Sequence, residues 1–188
     1  MGATFSPAQA RKPLAISMGE PGGIGPEIIL KTWLARKEVR LPTFVAIGDP
    51  IHFETVARLF DLAVPVKACT IEKCSENFDD ALPVLPLDGA VATKPGELKA
   101  GDAQLVSNAI IRSVDLAMQG KVSGIVTAPI NKKALYDSGF EFPGHTEFLA
   151  ALATQHTGTP CTPVMMLAGP QLRTIPVTIH IALKDVPD

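Results

Sequence analysis

A chain of 188 residues, 46% hydrophobic and 19% charged, has ordinary globular composition and is long enough to bury a core in one or two domains. A net charge of −2, a pI near 6.1 and 17 scattered Lys and Arg exclude the electrostatic footprint of a nucleic-acid binder, while a small anion held by a few converging donors stays open. No apolar run reaches the length of a membrane span or secretory core, and an odd count of three cysteines suits a compartment where thiols stay reduced, so a cytoplasmic protein without a membrane partner is expected.

Residues 1–13 read as a flexible tail, and residues 14–188 as the folded part. Leu14 to Ser17 is predicted as a short strand running into a Gly/Pro turn, Gly19 to Gly25, and then into a helix opened by Pro26 and Glu27. Ile28, Ile29, Leu30, Trp33 and Leu34 give that helix an apolar stripe. Thr43 to Ile47 follows as a strand, Gly48-Asp49-Pro50 punctuates, and Phe53, Val56, Ala57 and Phe60 have helical spacing.

Val64 to Ala68 and Pro83 to Leu87 are further candidate strands around a polar stretch of no clear period. Gly101 to Met118 is an amphipathic helix on Leu105, Ala109, Ile110, Val114 and Leu116, and Val122 to Thr127 a buried strand ending at Ala128-Pro129. Asn131 to Tyr136 and Glu147 to Gln155 read as helices, Pro163 to Leu167 as a buried strand and Arg173 to His180 as an alternating one. Strands separated by helices predict a mostly parallel sheet covered on both faces.

Four features carry candidate chemistry. The turn from Gly19 to Gly25 has the look of a phosphate cradle but fails both nucleotide templates: Ile28 stands where a dinucleotide loop needs Gly, and Pro26 where a P-loop needs Lys. A plain tight turn is the competing reading. Phe142-Pro143-Gly144-His145-Thr146-Glu147 sets an imidazole and a hydroxyl where a loop opens a helix; Thr146 as a simple N-cap and His145 as an ordinary histidine are the bland alternatives.

His145-Thr146-Glu147 with Pro160-Cys161 also echoes a zinc deaminase signature, but Val164 replaces the second cysteine. His180 closes the Ile175 to Ile179 run, where side chains leave a parallel sheet for a site. Lys132, Lys184 and Asp185 are charged candidates near the same cleft, with solvated surface roles as the commoner explanation.

Together, Met18 to Glu27, Thr127-Ala128-Pro129-Ile130-Asn131-Lys132, Gly144-His145-Thr146-Glu147-Phe148 and Val164 to Ala168 make the chain resemble the 4-hydroxythreonine-4-phosphate dehydrogenases of pyridoxal phosphate biosynthesis, from Leu14 to Asp188. The resemblance implies a three-layer α/β/α fold in two subdomains, like isocitrate and isopropylmalate dehydrogenases and not Rossmann, of which this chain is the N-terminal portion. It implies His145 and Thr146 as substrate-binding residues, His180 as a ligand to a divalent metal (Zn, Mg or Co), NAD or NADP as cofactor, and a homodimer sharing its active site.

The implied reaction is NAD-dependent oxidation of 4-phosphohydroxy-L-threonine to a 3-keto acid that loses carbon dioxide to give 3-amino-2-oxopropyl phosphate. Two alternatives stand beside it. One is a related metal- and NAD-dependent dehydrogenase for threonate or erythronate phosphate or a cyclic dihydrodiol, and the other a non-catalytic fragment.

Overall fold

The structure, a computed structural model, describes residues 12–97, 100–178, 181, 182 and 184. The expected tail lies outside the described residues up to residue 11. Pro13 is buried, and its carbonyl accepts from both the Ser123 amide (2.9 Å) and the Ser123 hydroxyl (3.3 Å).

The first half alternates strand and helix as the hydrophobic periodicity predicts. Strand β1 is Leu14–Ser17, helix α1 Gly25–Ala35, strand β2 Phe44–Gly48 and helix α2 Pro50–Leu59. Pro occupies the first turn of both helices, where its missing N–H costs nothing. Asp49 caps α2, its Oδ1 accepting from the Ile51 amide at 2.9 Å.

Strand β3 is Val66–Ala68, helix α3 Cys74–Asn77 and strand β4 Leu82–Pro86. Helix α3 lies in the polar stretch where no element was expected. It is held by position more than by pattern: the Trp33 indole donates to the Phe78 carbonyl at 2.9 Å, and Phe44 and Phe78 pack edge to face.

A 3-10 turn at Ala100–Asp102 leads into helix α4, Ala103–Met118, then strand β5, Gly124–Thr127, helix α5, Lys132–Asp137, and helix α6, His145–Thr157. The five strands form one parallel sheet in the order β3-β4-β2-β1-β5, with Ser17 in register with both Ile47 and Thr127. The carboxyl ends of β1, β2 and β5 therefore lie level along one edge.

β2 is buried at every residue, as a parallel strand covered on both faces must be. Full burial of side chains such as Phe44, Val45 and Ile47 contributes about 1.5–3 kcal/mol each. Helix α4 packs across β1, β2 and β5, while α2 lies on β3 and β4 and α3 on β4 and β2. The chain leaves β1 towards β2, and later crosses with α4 to β5 on the other side of β1. The strand order thus reverses between β1 and β5, the place where open parallel sheets take ligands.

Three expectations need correction. Val122 to Thr127 is not a fully buried strand, because β5 ends the sheet and Val126 is 43% exposed. Pro163 to Leu167 forms no buried strand: Val164 is 70% exposed, and only Leu167–Ala168 (β6) pairs, antiparallel, with Arg173–Thr174 (β7). The alternating strand expected from Arg173 to His180 stops at Thr174, since Pro176 removes a ladder donor; residues 179 and 180 lie outside the described residues.

Candidate active site at the β1/β5 edge

At the β1 end, the glycine turn exists to let backbones meet. Gly19 has φ +71, and a Cβ there would come within 2.5 Å of the Pro129 carbonyl oxygen. The Glu20 amide donates to that same carbonyl at 2.8 Å, so the turn after β1 and the loop after β5 are one unit. A Cβ on Gly22 would lie 1.6 Å from the Glu97 carbonyl oxygen, and the Gly96 amide donates to the Gly22 carbonyl at 2.8 Å. These close approaches account for Gly19 and Gly22 by packing, which favours the tight-turn reading over a nucleotide cradle.

A buried polar wall supports the turn, and sequence reasoning missed it. The His52 Nε2 donates to the Pro21 carbonyl, and the Asp102 carboxylate accepts from the Ala92 and Thr93 amides, both at 3.0 Å. Asp49 spans the gap, its second oxygen accepting from the Val91 amide at 3.0 Å. Gly48-Asp49-Pro50 carried a legible signal for this role, since Asp before Pro at a helix start is a capping sequence.

Glu20 is buried with Oε1 unpartnered among the described residues. Burial pushes its carboxyl above the ordinary range, partly offset by the Gly22 amide and reinforced by the Asp102 charge. Burial likewise lowers His52, against the opposing pull of the Pro21 carbonyl, Asp49 and Asp102.

At the β5 end, Asn131 caps α5 by accepting from the Ala134 amide at 3.0 Å, and so fixes Lys132 as the helix's first residue. The loop from α5 to α6 is folded over an aromatic cluster: Phe140 meets Phe142 and Phe148 edge to face, with centroids 5.4 and 5.0 Å apart. Tyr136 donates its hydroxyl to the Pro143 carbonyl at 3.3 Å. This packing sets Gly144 as the N-cap of α6, with no side-chain cap.

Thr146 is consequently not an N-cap; it is an exposed residue in the helix's first turn. His145 is half-buried, and its Nε2 is buried without a partner among the described residues. Burial lowers its pKa and the Lys132 charge lowers it further, so the ring is neutral at neutral pH.

Lys132 and the Gly-His-Thr segment therefore come together, whereas Lys184 is exposed, and His180 and Asp185 lie outside the described residues. A hollow of about 240 Å³ beside the site is lined by Gln104, Ser107, Phe140, Glu141, Phe142 and Phe148. The deaminase arrangement is overturned: Cys161 sits against the last turn of α6, its amide donating to the Thr154 hydroxyl at 3.0 Å, roughly 14 Å along the axis from His145. Among the described residues no group of three His, Cys, Asp or Glu side chains is placed to hold a metal, and no helix is long and apolar enough to cross a membrane.

Fold and site together define a parallel α/β protein whose candidate ligand site lies where the strand order reverses. The model of the family described as pyridoxal phosphate biosynthetic protein PdxA matches residues 40–188, and the chain belongs to that family. The 4-hydroxythreonine-4-phosphate dehydrogenase of Methylorubrum populi is 47% identical over 179 residues, covering 94% of this chain and 51% of that protein. That of Xanthobacter autotrophicus is 40% identical over 178 residues, 95% of this chain and 51% of its own length.

Among solved structures, the Burkholderia phymatum 4-hydroxythreonine-4-phosphate dehydrogenase superposes with a TM-score of 0.77 at 32% identity, covering 93% of this chain and 52% of that one. A terephthalate 1,2-cis-dihydrodiol dehydrogenase of Burkholderia xenovorans, 23% identical with a TM-score of 0.63, shares the fold over 93% of this chain and 50% of its own. The chain spans about half the length of the curated relatives it matches.

Proposed function

We propose that this chain supplies the N-terminal part of an NAD- or NADP-dependent 4-hydroxythreonine-4-phosphate dehydrogenase, a cytoplasmic homodimer of pyridoxine 5'-phosphate biosynthesis. On this reading the five-stranded sheet belongs to a two-subdomain α/β/α fold of the isocitrate/isopropylmalate dehydrogenase type. The observation that carries the reading is the buried Nε2 of His145, unpartnered among the described residues and beside the Lys132 charge, in a family whose curated relatives bear that enzyme's name.

A neutral imidazole kept out of water forms a stronger and more directional hydrogen bond than one in solvent. His145 thus orients the phosphorylated substrate, and the exposed Thr146 hydroxyl offers a second contact one residue on. His180 is proposed as one donor to a divalent ion, zinc, magnesium or cobalt. The described residues hold no complete donor set for that ion.

Incubating the complete gene product with 4-phosphohydroxy-L-threonine and NAD or NADP tests the reading. Reduced cofactor is expected, with a raised KM in His145→Ala. Reduction with D-threonate phosphate alone, or with neither substrate, would overturn it.

A further inference from the structure

Lys132 and Lys133 are neighbours on α5 with opposite fates. The Lys133 Nζ pairs with Asp137 at 2.8 Å, one turn along the helix, so its charge is neutralised locally. Lys132 makes no ion pair among the described residues, and points instead toward the start of α6. Its Nζ lies 3.9 Å from the point a Cβ on Gly144 would occupy. The Glu147 Oε2 lies 3.6 Å from the same point, so a cation and an anion both stand close to Gly144.

We infer that Lys132 is a specificity-determining residue of this site, holding a fixed positive charge beside the buried His145 nitrogen so that a phosphate-bearing ligand is selected over its unphosphorylated counterpart. This rests on the substrate reading above and adds to it a residue, with a defined preference. A neutral imidazole offers one hydrogen bond and no charge, so it does not separate an alcohol from its phosphate ester. The ammonium does, since a compact cation gains far more from a dianion than from a hydroxyl.

The placement is built from the sequence. Asn131 caps α5, the preceding Pro129 carbonyl is tied to the Glu20 amide, and Lys132 therefore projects from a fixed helix start. The Glu147 carboxylate, also close to Gly144, repels an anion that settles away from Lys132.

The test uses the complete gene product and four variants' kinetics with 4-phosphohydroxy-L-threonine and with 4-hydroxy-L-threonine. Lys132→Met is expected to raise KM about tenfold for the phosphorylated compound only, with kcat within about twofold, and Lys132→Arg to recover most of the loss. Lys133→Met is expected to leave both constants unchanged, and Gly144→Ala to raise KM by setting a methyl group against the Lys132 ammonium. An unaltered KM in Lys132→Met, or an equal loss on both compounds, would overturn the inference.

A second readout needs no turnover. Inorganic phosphate should raise the thermal midpoint of the wild type and not of Lys132→Met. Phosphate stabilisation that depends on Lys132 in a protein inactive on the substrate would sink the proposed reaction and sustain the anion seat; stabilisation indifferent to Lys132 would sink the seat itself.

Discussion

The His52 imidazole donates through Nε2 to the Pro21 carbonyl, 2.9 Å away, and ties helix α2 to the glycine turn that leaves β1. Both partners are inside the protein, so loss of the donor strands a carbonyl away from water. His52→Ala is therefore expected to cost about 2–4 kcal/mol in urea unfolding at pH 7, from the lost hydrogen bond and the cavity together. Because burial lowers the pKa of His52 below 6.5, its contribution is complete above that value and fades as pH falls through the folded-state pKa. The wild type should lose stability on acidification below pH 6.5, and part of that slope should vanish in the variant.

Glu20 has the opposite sign. Its folded-state pKa is raised above 4.5, so below that value both states carry the proton and no penalty exists. As pH rises through the folded-state pKa, the buried carboxyl must ionise with Oε1 unpartnered among the described residues, and stability falls. Glu20→Gln removes the charge and keeps an oxygen for the Gly22 amide. Its melting temperature should exceed the wild type's by a few degrees at pH 7 and match it at pH 4; equal midpoints at both would refute the account.

Gly22 and Gly23 are adjacent and alike in sequence, yet they should respond differently to one methyl group. A Cβ on Gly22 would overlap the Glu97 carbonyl at 1.6 Å, and the obstacle is backbone. Gly22→Ala should cost roughly 3 kcal/mol or more, as overpacking against fixed atoms does. On Gly23 the nearest atom is the Glu20 Cβ at 3.3 Å, a contact relieved by a shift of a few tenths of an ångström. Gly23→Ala should cost less than about 1 kcal/mol in the same denaturation assay.

The first half of the fold was legible because its signals are local. Leu14 to Ser17 and Thr43 to Ile47 are apolar runs bounded by turn residues, and Leu105, Ala109, Ile110 and Val114 repeat at helical spacing. The run from Pro163 to Leu167 carries the same apolar signal but forms no covered strand, since an apolar pattern states a preference and not whether anything packs against it. Pro160, Pro163, Pro170 and Pro176 also punctuate that region and remove ladder donors.

The site was legible in parts. His145 and Lys132 each stood out singly, but their proximity depends on how the Phe140, Phe142 and Phe148 cluster folds the intervening loop, a tertiary fact with no period in sequence. The polar wall of Asp49, His52 and Asp102 was legible only at Asp49, whose place before Pro50 is a capping sequence. Asp49 and His52 share the start of α2, but Asp102 comes from the turn before α4, and no local pattern marks that these two stretches meet.

Asn131 gives a way to loosen the site without touching a ligand-facing group. Its Oδ1 accepts from the Ala134 amide at 3.0 Å, and α5 is only six residues long, too short to persist on propensity alone. Asn131→Ala should therefore cost about 1 kcal/mol, concentrated in that helix. Because Leu135 is buried in a cluster with Ala103 and Val106, the helix should fray from its start and not detach. Hydrogen exchange at the Ala134 amide should speed up several-fold while the strand amides of β1 and β2 keep their protection. Uniform acceleration across the sheet would mean that Asn131 holds the whole fold, and unchanged exchange at Ala134 that the cap contributes nothing; Asn131→Asp, which keeps the acceptor oxygen, should restore the wild-type rate.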